Sequence, residues 1–259
     1  MTDSAARSVT LLGSSFLKPG KIELFSVGDR SACAISVGAE AAIARKQKDA
    51  APNEDALYLD DDGNCAVHLV ADGHWGVESS ESLVKSLGEL FDKEGPGAEA
   101  YQLYGMMAQS WRKAEPLGKS RTTFILTSLN RERRTLRGFS IGDSACFLVR
   151  SDASVSRIDN ASRHYCAPWD YYSLGVPSTS HYETEVAPGD VLICCTDGVT
   201  ECNYGKPERS VLPVDVAELA GRHKGDARAI AEALGLLALT GVRNEPGGED
   251  NFSISVSIC

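Results

Sequence analysis

The feature that most constrains this chain is an apolar run that ends in polar chemistry: Val67-His68-Leu69-Val70-Ala71-Asp72-Gly73-His74-Trp75-Gly76. A run of this length reads as a buried strand, and it stops at Asp-Gly-His before a second glycine and the polar start of a helix-like segment. A carboxylate at a strand end is held in place by the sheet. The glycine beside it lets the backbone turn, so that a carbonyl can approach whatever the carboxylate binds. On its own an Asp-Gly pair in this position is a turn. Its meaning depends on where the chain puts its other acidic residues.

The surrounding pattern gives the frame. Residues 1–15 are small and polar and read as a loosely ordered N-terminal segment, leaving 16–259 as one domain. Short apolar stretches over 22–37 read as paired strands, and a basic, proline-containing loop over 45–55 leads to two adjacent carboxylates. Strands over 56–59 and 65–71 flank Asp60-Asp61-Asp62-Gly63-Asn64, a hairpin signal. Leu83, Val84, Leu87, Leu90 and Phe91 recur at helical spacing over 78–93, and Gly95-Pro96-Gly97 stops that helix before a second one over 98–114. Strands follow over 122–129, 135–141 and 145–150, then an irregular excursion over 163–185, a buried strand over 191–195, two helices over 214–223 and 226–239, and a closing strand over 252–258 that alternates apolar and polar residues. Hairpin-linked strands with one helix pair after the first group and another near the end form an α+β pattern, not an alternating βαβ one. The arrangement that buries every segment is a four-layer sandwich: two packed antiparallel β-sheets flanked by helix pairs.

With 259 residues the chain can bury an ample core without disulfides. Its net charge of -10 argues against nucleic acid or an anionic membrane surface as the main partner. Eight cysteines include no C-x-x-C pair and several fall in strand-like runs, which reads as free buried thiols in a reducing compartment. No signal peptide or membrane span is visible, so a cytoplasmic protein is expected.

Five acidic signals fall at strand ends: Asn53-Glu54-Asp55, Asp72-Gly73-His74, Gly142-Asp143-Ser144, Thr196-Asp197-Gly198 and Asp250-Asn251. Any one of them alone is a cap or a turn. Together they form the oxygen-only donor set of magnesium or manganese, and carboxylates gathered so closely would repel one another without a cation.

In their order, these five motifs resemble the metal-dependent protein serine/threonine phosphatases of the type 2C family, over about residues 35–258. The resemblance implies a β-sandwich flanked by helix pairs, with two Mg2+ or Mn2+ ions at one end and a weaker third site. It implies that Asp72 bridges two metals, that Gly73 lends its carbonyl to one, and that Asp197 and Asp250 are ligands of the other. Glu54 and Asp55 resemble the pair that binds the metals directly or through water, and Asp143 resembles the carboxylate that holds the third metal with Asp197. His74 resembles the family's general acid, whereas His68, inside the strand, reads as structural. The implied reaction is direct hydrolysis of phosphoserine or phosphothreonine in proteins by a metal-bridged water, as part of signalling, by a monomer. The family also carries an arginine a few residues before Asn-Glu-Asp that grips the phosphate. That position is Ala50 here, so Arg45, Lys48 or neither takes the task. A silent type 2C-like binding module and a hydrolase of small phosphate esters are the alternative readings.

Overall fold

A computed structural model describes residues 7–46, 52–111, 118–159, 161–162, 164–166 and 180–259. Among them, two six-stranded antiparallel sheets lie face to face. The first runs in the order β1 (Ser8–Leu12), β4 (Ala56–Asp61), β5 (Cys65–His74), β6 (Arg121–Asn130), β7 (Thr135–Ile141), β10 (Ser180–Glu185). The second runs β2 (Glu23–Val27), β3 (Ser31–Ser36), β12 (Phe252–Ile258), β11 (Val191–Cys195), β8 (Ala145–Val149), β9 (Val155–Arg157). Helices α2 (Glu78–Glu94) and α3 (Ala100–Trp111) cover the first sheet, the single turn α4 (Asp197–Thr200) follows β11, and α5 (Pro213–Arg222) and α6 (Ala227–Thr240) cover the second sheet. This is the expected four-layer sandwich.

Strand alternation decides which side chains enter which layer. In β5, Val67, Leu69 and Ala71 pack against Leu83, Val84, Leu87 and Phe91 of α2. Each large side chain buried there is worth about 1.5–3 kcal/mol. Ala66 and Val70 face the other sheet, joining Leu57, Leu59, Cys33, Ile35 and Leu192 between the two layers. His68 and Asp72 share the parity of Val70, so the strand that supplies the core also aims Asp72 into the gap between the sheets.

The closing strand β12 turns its polar side inward. Phe252, Ile254 and Val256 pack beneath α6, while Ser253, Ser255 and Ser257 lie between the sheets with no exposure. Their hydroxyls are satisfied across the gap. Ser253 Oγ donates to Asp55 Oδ2 at 3.0 Å; His68 Nδ1 and Nε2 meet Ser255 and Ser257 at 2.9 and 2.7 Å. Ser257 also bonds Ser31, whose hydroxyl donates to Asp61 at 2.5 Å. Arg131 closes this seam with two 2.8 Å bonds to Asp61. Burial pushes His68 down to about 3, so it stays neutral and structural, as its place in the strand suggests.

Two expectations need correction. The segment 1–15 is not loose throughout: Ser8–Leu12 is an edge strand in register with β4, and Leu11 is buried in the central core. Alternating Val9 and Leu11 supply its apolar side, and Gly13 N–H donates to Asp55 O at 2.8 Å; residues 1–6 lie outside the described residues. The excursion over 163–185 is not irregular to its end, because Ser180–Glu185 pairs with β7 as an edge strand, and Cys166 exchanges two 2.8 Å backbone bonds with Thr122. Residues 163 and 167–179 are not described. A short helix, α1 (Glu40–Arg45), leads into the basic loop, and no described helix is long and apolar enough to cross a membrane.

The seam gives a stability prediction away from any chemistry. Arg131→Met leaves Asp61 buried without its partner, so urea unfolding should show a loss of about 3 kcal/mol. A loss below about 1 kcal/mol, the scale of an exposed pair, would mean that the seam does not depend on this ion pair.

Candidate active site

Strand ends from both sheets converge at one end of the sandwich. The β4–β5–β6 register sets Ala56 opposite Ala71 and Asp72 opposite Thr123, and the β11–β12 register sets Cys195 opposite Ile254. Asp72 is held further by Thr122, whose hydroxyl donates to the Asp72 carbonyl at 2.9 Å. The approach between the strands is so close that two positions admit no side chain. A Cβ at Gly73 would overlap the carbonyl oxygen of Glu54, and one at Gly198 would overlap that of Asn251. The glycines of Asp-Gly-His and Thr-Asp-Gly thus let the acidic segments close on one another.

Asp72, Asp143 and Asp197 form the centre, with one carboxylate oxygen from each within 4.8 Å of the others. Burial, and then the charges of Asp72 and Asp250, push the Asp197 carboxyl well above the usual range, and burial with Asp72 raises Asp143. Asp72 goes the other way: burial opposes its charge, but His74 and Lys46 outweigh that and hold it down. Asp72 Oδ2 and Asp143 Oδ1 are buried and have no hydrogen-bond partner. Crowded carboxylates with unpartnered oxygens and no sulfur donor fit a hard divalent cation such as Mg2+ or Mn2+.

The other acidic residues surround this centre in distinct ways. Asp55 is fully buried and accepts bonds from Thr196 Oγ1 at 2.7 Å, Ser253 Oγ at 3.0 Å and Asn251 Nδ2 at 2.5 Å. Its carboxylate therefore ties the first sheet to the second. Glu54 accepts from the Gly76 N–H at 2.5 Å and from Lys46 Nζ at 2.8 Å. Asp250 pairs with Arg45 Nη2 at 2.5 Å and lies 3.5 Å from Lys46 Nζ. Arg45 also donates to the Glu249 carbonyl at 3.1 Å and stacks 3.7 Å over the Tyr204 ring. Helix α1 thus brings Arg45 to the site, while Lys48 falls outside the described residues.

His74 Nε2 lies 2.9 Å from Asp72 Oδ2, in ion-pair range but out of hydrogen-bond alignment. Its ring meets Tyr165 edge-to-face at 4.8 Å, and Trp75 packs on Tyr165 at 5.6 Å. Trp75 adopts the left-handed backbone region at φ 61° and is 62% exposed, a strained aromatic on the rim of the site.

Sequence reasoning missed Lys46, the three donors on Asp55, and Tyr165. Thr196 and Asn251 were visible as letters of the Thr-Asp-Gly and Asp-Asn motifs, but their role depends on the second sheet's approach. Nothing local marks Lys46 within Arg45-Lys46-Gln47-Lys48, and among the described residues it is the Thr122–Cys166 bridge, distant in sequence, that brings Tyr165 to His74.

Burial disfavours the His74 cation, but Asp72 and Asp143 prevail and lift its pKa to about 9. In the metal-free chain an NMR titration should therefore find His74 protonated at neutral pH with a midpoint near 9. Because its folded pKa is raised, this contribution to stability is complete below about 6.5, the unfolded value, and is lost as pH rises through about 9. Adding Mg2+ should lower the midpoint by offsetting Asp72, and His74→Asn should remove this part of the pH dependence. A metal-free midpoint near 6.5 would contradict the pairing.

Comparison with known proteins agrees with this geometry. The family described as Stage II sporulation protein E (SpoIIE) matches residues 81–253. No curated protein matches the chain significantly. Among solved structures, RsbX in complex with magnesium is 13% identical at a TM-score of 0.61, with 92% of this chain and 100% of that chain covered. The catalytic domain of the serine/threonine protein phosphatase PstP with two manganese ions is 18% identical at a TM-score of 0.58, with 92% and 99% covered. The PPM Ser-Thr phosphatase MsPP from Mycobacterium smegmatis, in complex with cacodylate, is 17% identical at a TM-score of 0.56, with 88% and 97% covered. With well over half of its residues matched by the family, and with the two-sheet sandwich those relatives share, this chain belongs to the SpoIIE family of type 2C-like phosphatases.

Proposed function

We propose that this protein is a Mg2+- or Mn2+-dependent phosphatase that hydrolyses phosphoserine and phosphothreonine in proteins. The observation that carries the reading is the Asp72–Asp143–Asp197 cluster, whose buried unpartnered oxygens ask for a divalent cation. Related folds with bound magnesium and manganese support it.

Asp72, the Gly73 carbonyl, Asp197 and Asp250 would hold two metal ions, with Glu54 and Asp55 binding directly or through water, and Asp143 with Asp197 would hold a weaker third. Asp55 holds Thr196, Asn251 and Ser253, and so fixes where Asp197 and Asp250 stand. Bound there, the cation acidifies water and offsets charge on the phosphoryl oxygens during in-line displacement. His74 keeps a proton on its ring beside Asp72 and can pass it to the departing serine or threonine oxygen. Trp75 and Tyr165 shield that proton from bulk water on one side. Arg45, 29% exposed at its side chain and set on Asp250, is the described guanidinium best placed to touch a phosphate oxygen, and Lys48 remains the other candidate.

We place the protein in the cytoplasm, as a signalling phosphatase acting as a monomer. All eight cysteines are free and seven are buried, a use of cysteine that suits a reducing compartment. The acidic surface implied by a net charge of -10 disfavours nucleic acid and anionic membranes as partners.

Phosphate release from a phosphoserine peptide in Mn2+ tests the proposal. Asp72→Asn should abolish turnover with the fold intact by circular dichroism. His74→Gln should slow the peptide by about a hundredfold or more, the scale of a lost general acid, and an aryl phosphate with its good leaving group much less. Wild-type rates in Asp72→Asn would refute the metal site, and equal losses on both substrates would deny His74 its proton-donor role. Arg45→Ala should raise KM for phosphopeptides more than it lowers kcat, and an unchanged KM would remove Arg45 as the clamp.

A further inference from the structure

The two sides of the acidic site differ in one respect that the family likeness does not supply. On the Asp72–Asp143–Asp197 side, Asp72 Oδ2 and Asp143 Oδ1 are buried without a hydrogen bond, and the His74 ring stands 2.9 Å from Asp72 Oδ2. On the Glu54–Asp250 side a cation is already in place. Lys46 Nζ bonds Glu54 Oε2 at 2.8 Å and the Asn251 side-chain oxygen, lies 3.5 Å from Asp250 Oδ1, and its side chain is only 10% exposed. These three partners are all oxygens, the donor type that Mg2+ and Mn2+ take. The ammonium is a compact point charge that uses such a cradle as a metal would.

Lys46 is not there by chance of a floppy loop. It is the residue that ends α1, with its N–H bonded to Ala42 O at 3.1 Å, and Ala42 is buried. The helix itself is tied to the segment before β12, since Ala39 N–H donates to Gly248 O at 2.8 Å and Arg45 holds Glu249 and Asp250. The element that delivers the ammonium and the segment that delivers Asp250 are thus tied to each other.

We propose that Lys46 is an internal cation seated in the Glu54–Asp250–Asn251 cradle, so that a divalent ion can bind on the Asp250 side only by displacing it. Two positive charges sharing one carboxylate at this range repel strongly in a partly buried site. The first ion therefore enters on the Asp72 side, where no ammonium sits among the carboxylate oxygens. A second ion meets Lys46 and binds more weakly, which makes the doubly loaded state sensitive to free metal concentration. Displaced from the cradle, the ammonium becomes available to an anion arriving at the site. This inference rests on the metal-dependent reading above and assigns the order and strength of loading within it.

The test is Mn2+ titration of the full chain by isothermal calorimetry, with bound metal counted by elemental analysis. Wild type should show one tight ion and a weaker second. Lys46→Met should bind the second ion on the order of tenfold more tightly, because the competing charge is gone, and Lys46→Arg, which keeps the charge, should stay near wild type. Thermal melts give an independent readout: metal-free Lys46→Met should melt lower than wild type, with its carboxylates uncompensated, and should gain more from Mn2+. If Lys46→Met is too unstable to titrate, Lys46→Gln, which can still bond Glu54, carries the same comparison. A second-ion affinity unchanged or weakened in the charge-removing variant overturns the inference. If wild type nonetheless binds Mn2+ and hydrolyses an aryl phosphate, the phosphatase reading stands alone; if no protein binds Mn2+, both fall.

Discussion

The structure depends on keeping charge between two β-sheets. Asp55 is fully buried, and burial pushes its carboxyl pKa upward, yet it receives three hydrogen bonds from Thr196, Asn251 and Ser253 of the opposing sheet. A buried carboxylate without such donors would be costly. Here that demand fixes the spacing and register of the sheets at one end, and the acidic strand ends are set by that fixed spacing. The serine face of β12 extends the same polar seam past His68 to Ser31, Asp61 and Arg131.

A second tension lies at the mouth of the gap. Asp72, Asp143, Asp197 and Asp250 approach one another while Glu54 stands behind, and the chain's own cations offset only part of the repulsion. His74 sits on Asp72, Arg45 on Asp250, and Lys46 between Glu54 and Asp250. The raised pKa of Asp197 and the unpartnered oxygens of Asp72 and Asp143 record what is left over. A divalent cation resolves both at once. The cluster lies at the strand ends because only there can carboxylates from two sheets converge while water still has access.

Much of this was legible in the sequence, for identifiable reasons. Period-two alternation in β5 and helical spacing in α2 encode burial directly, so the layers followed from patterning. The acidic motifs were legible because each sits beside a glycine or asparagine at a strand end. What was hidden is what depends on contacts distant in sequence. The strand Ser8–Leu12 is short and follows a small, polar leader, and it is recruited by β4 rather than by its own pattern. Ser180–Glu185 alternates as an edge strand, half exposed, which looks like an irregular polar segment until β7 pairs with it. The serines of β12 look like a solvent face, and it is the facing first sheet that makes them interior. Lys46 is indistinguishable from its basic neighbours until α1 folds against Gly248 and Asp250.

The account rests on the claim that the converging carboxylates exist to hold divalent metal. Anomalous X-ray scattering from a crystal of the protein soaked in Mn2+ tests it most directly, since it reads the position of each ion against named side chains. The account predicts a strong peak within bonding distance of Asp72 and its neighbours Asp143 and Asp197. No peak there at saturating Mn2+, with the carboxylates in the same arrangement, would contradict it.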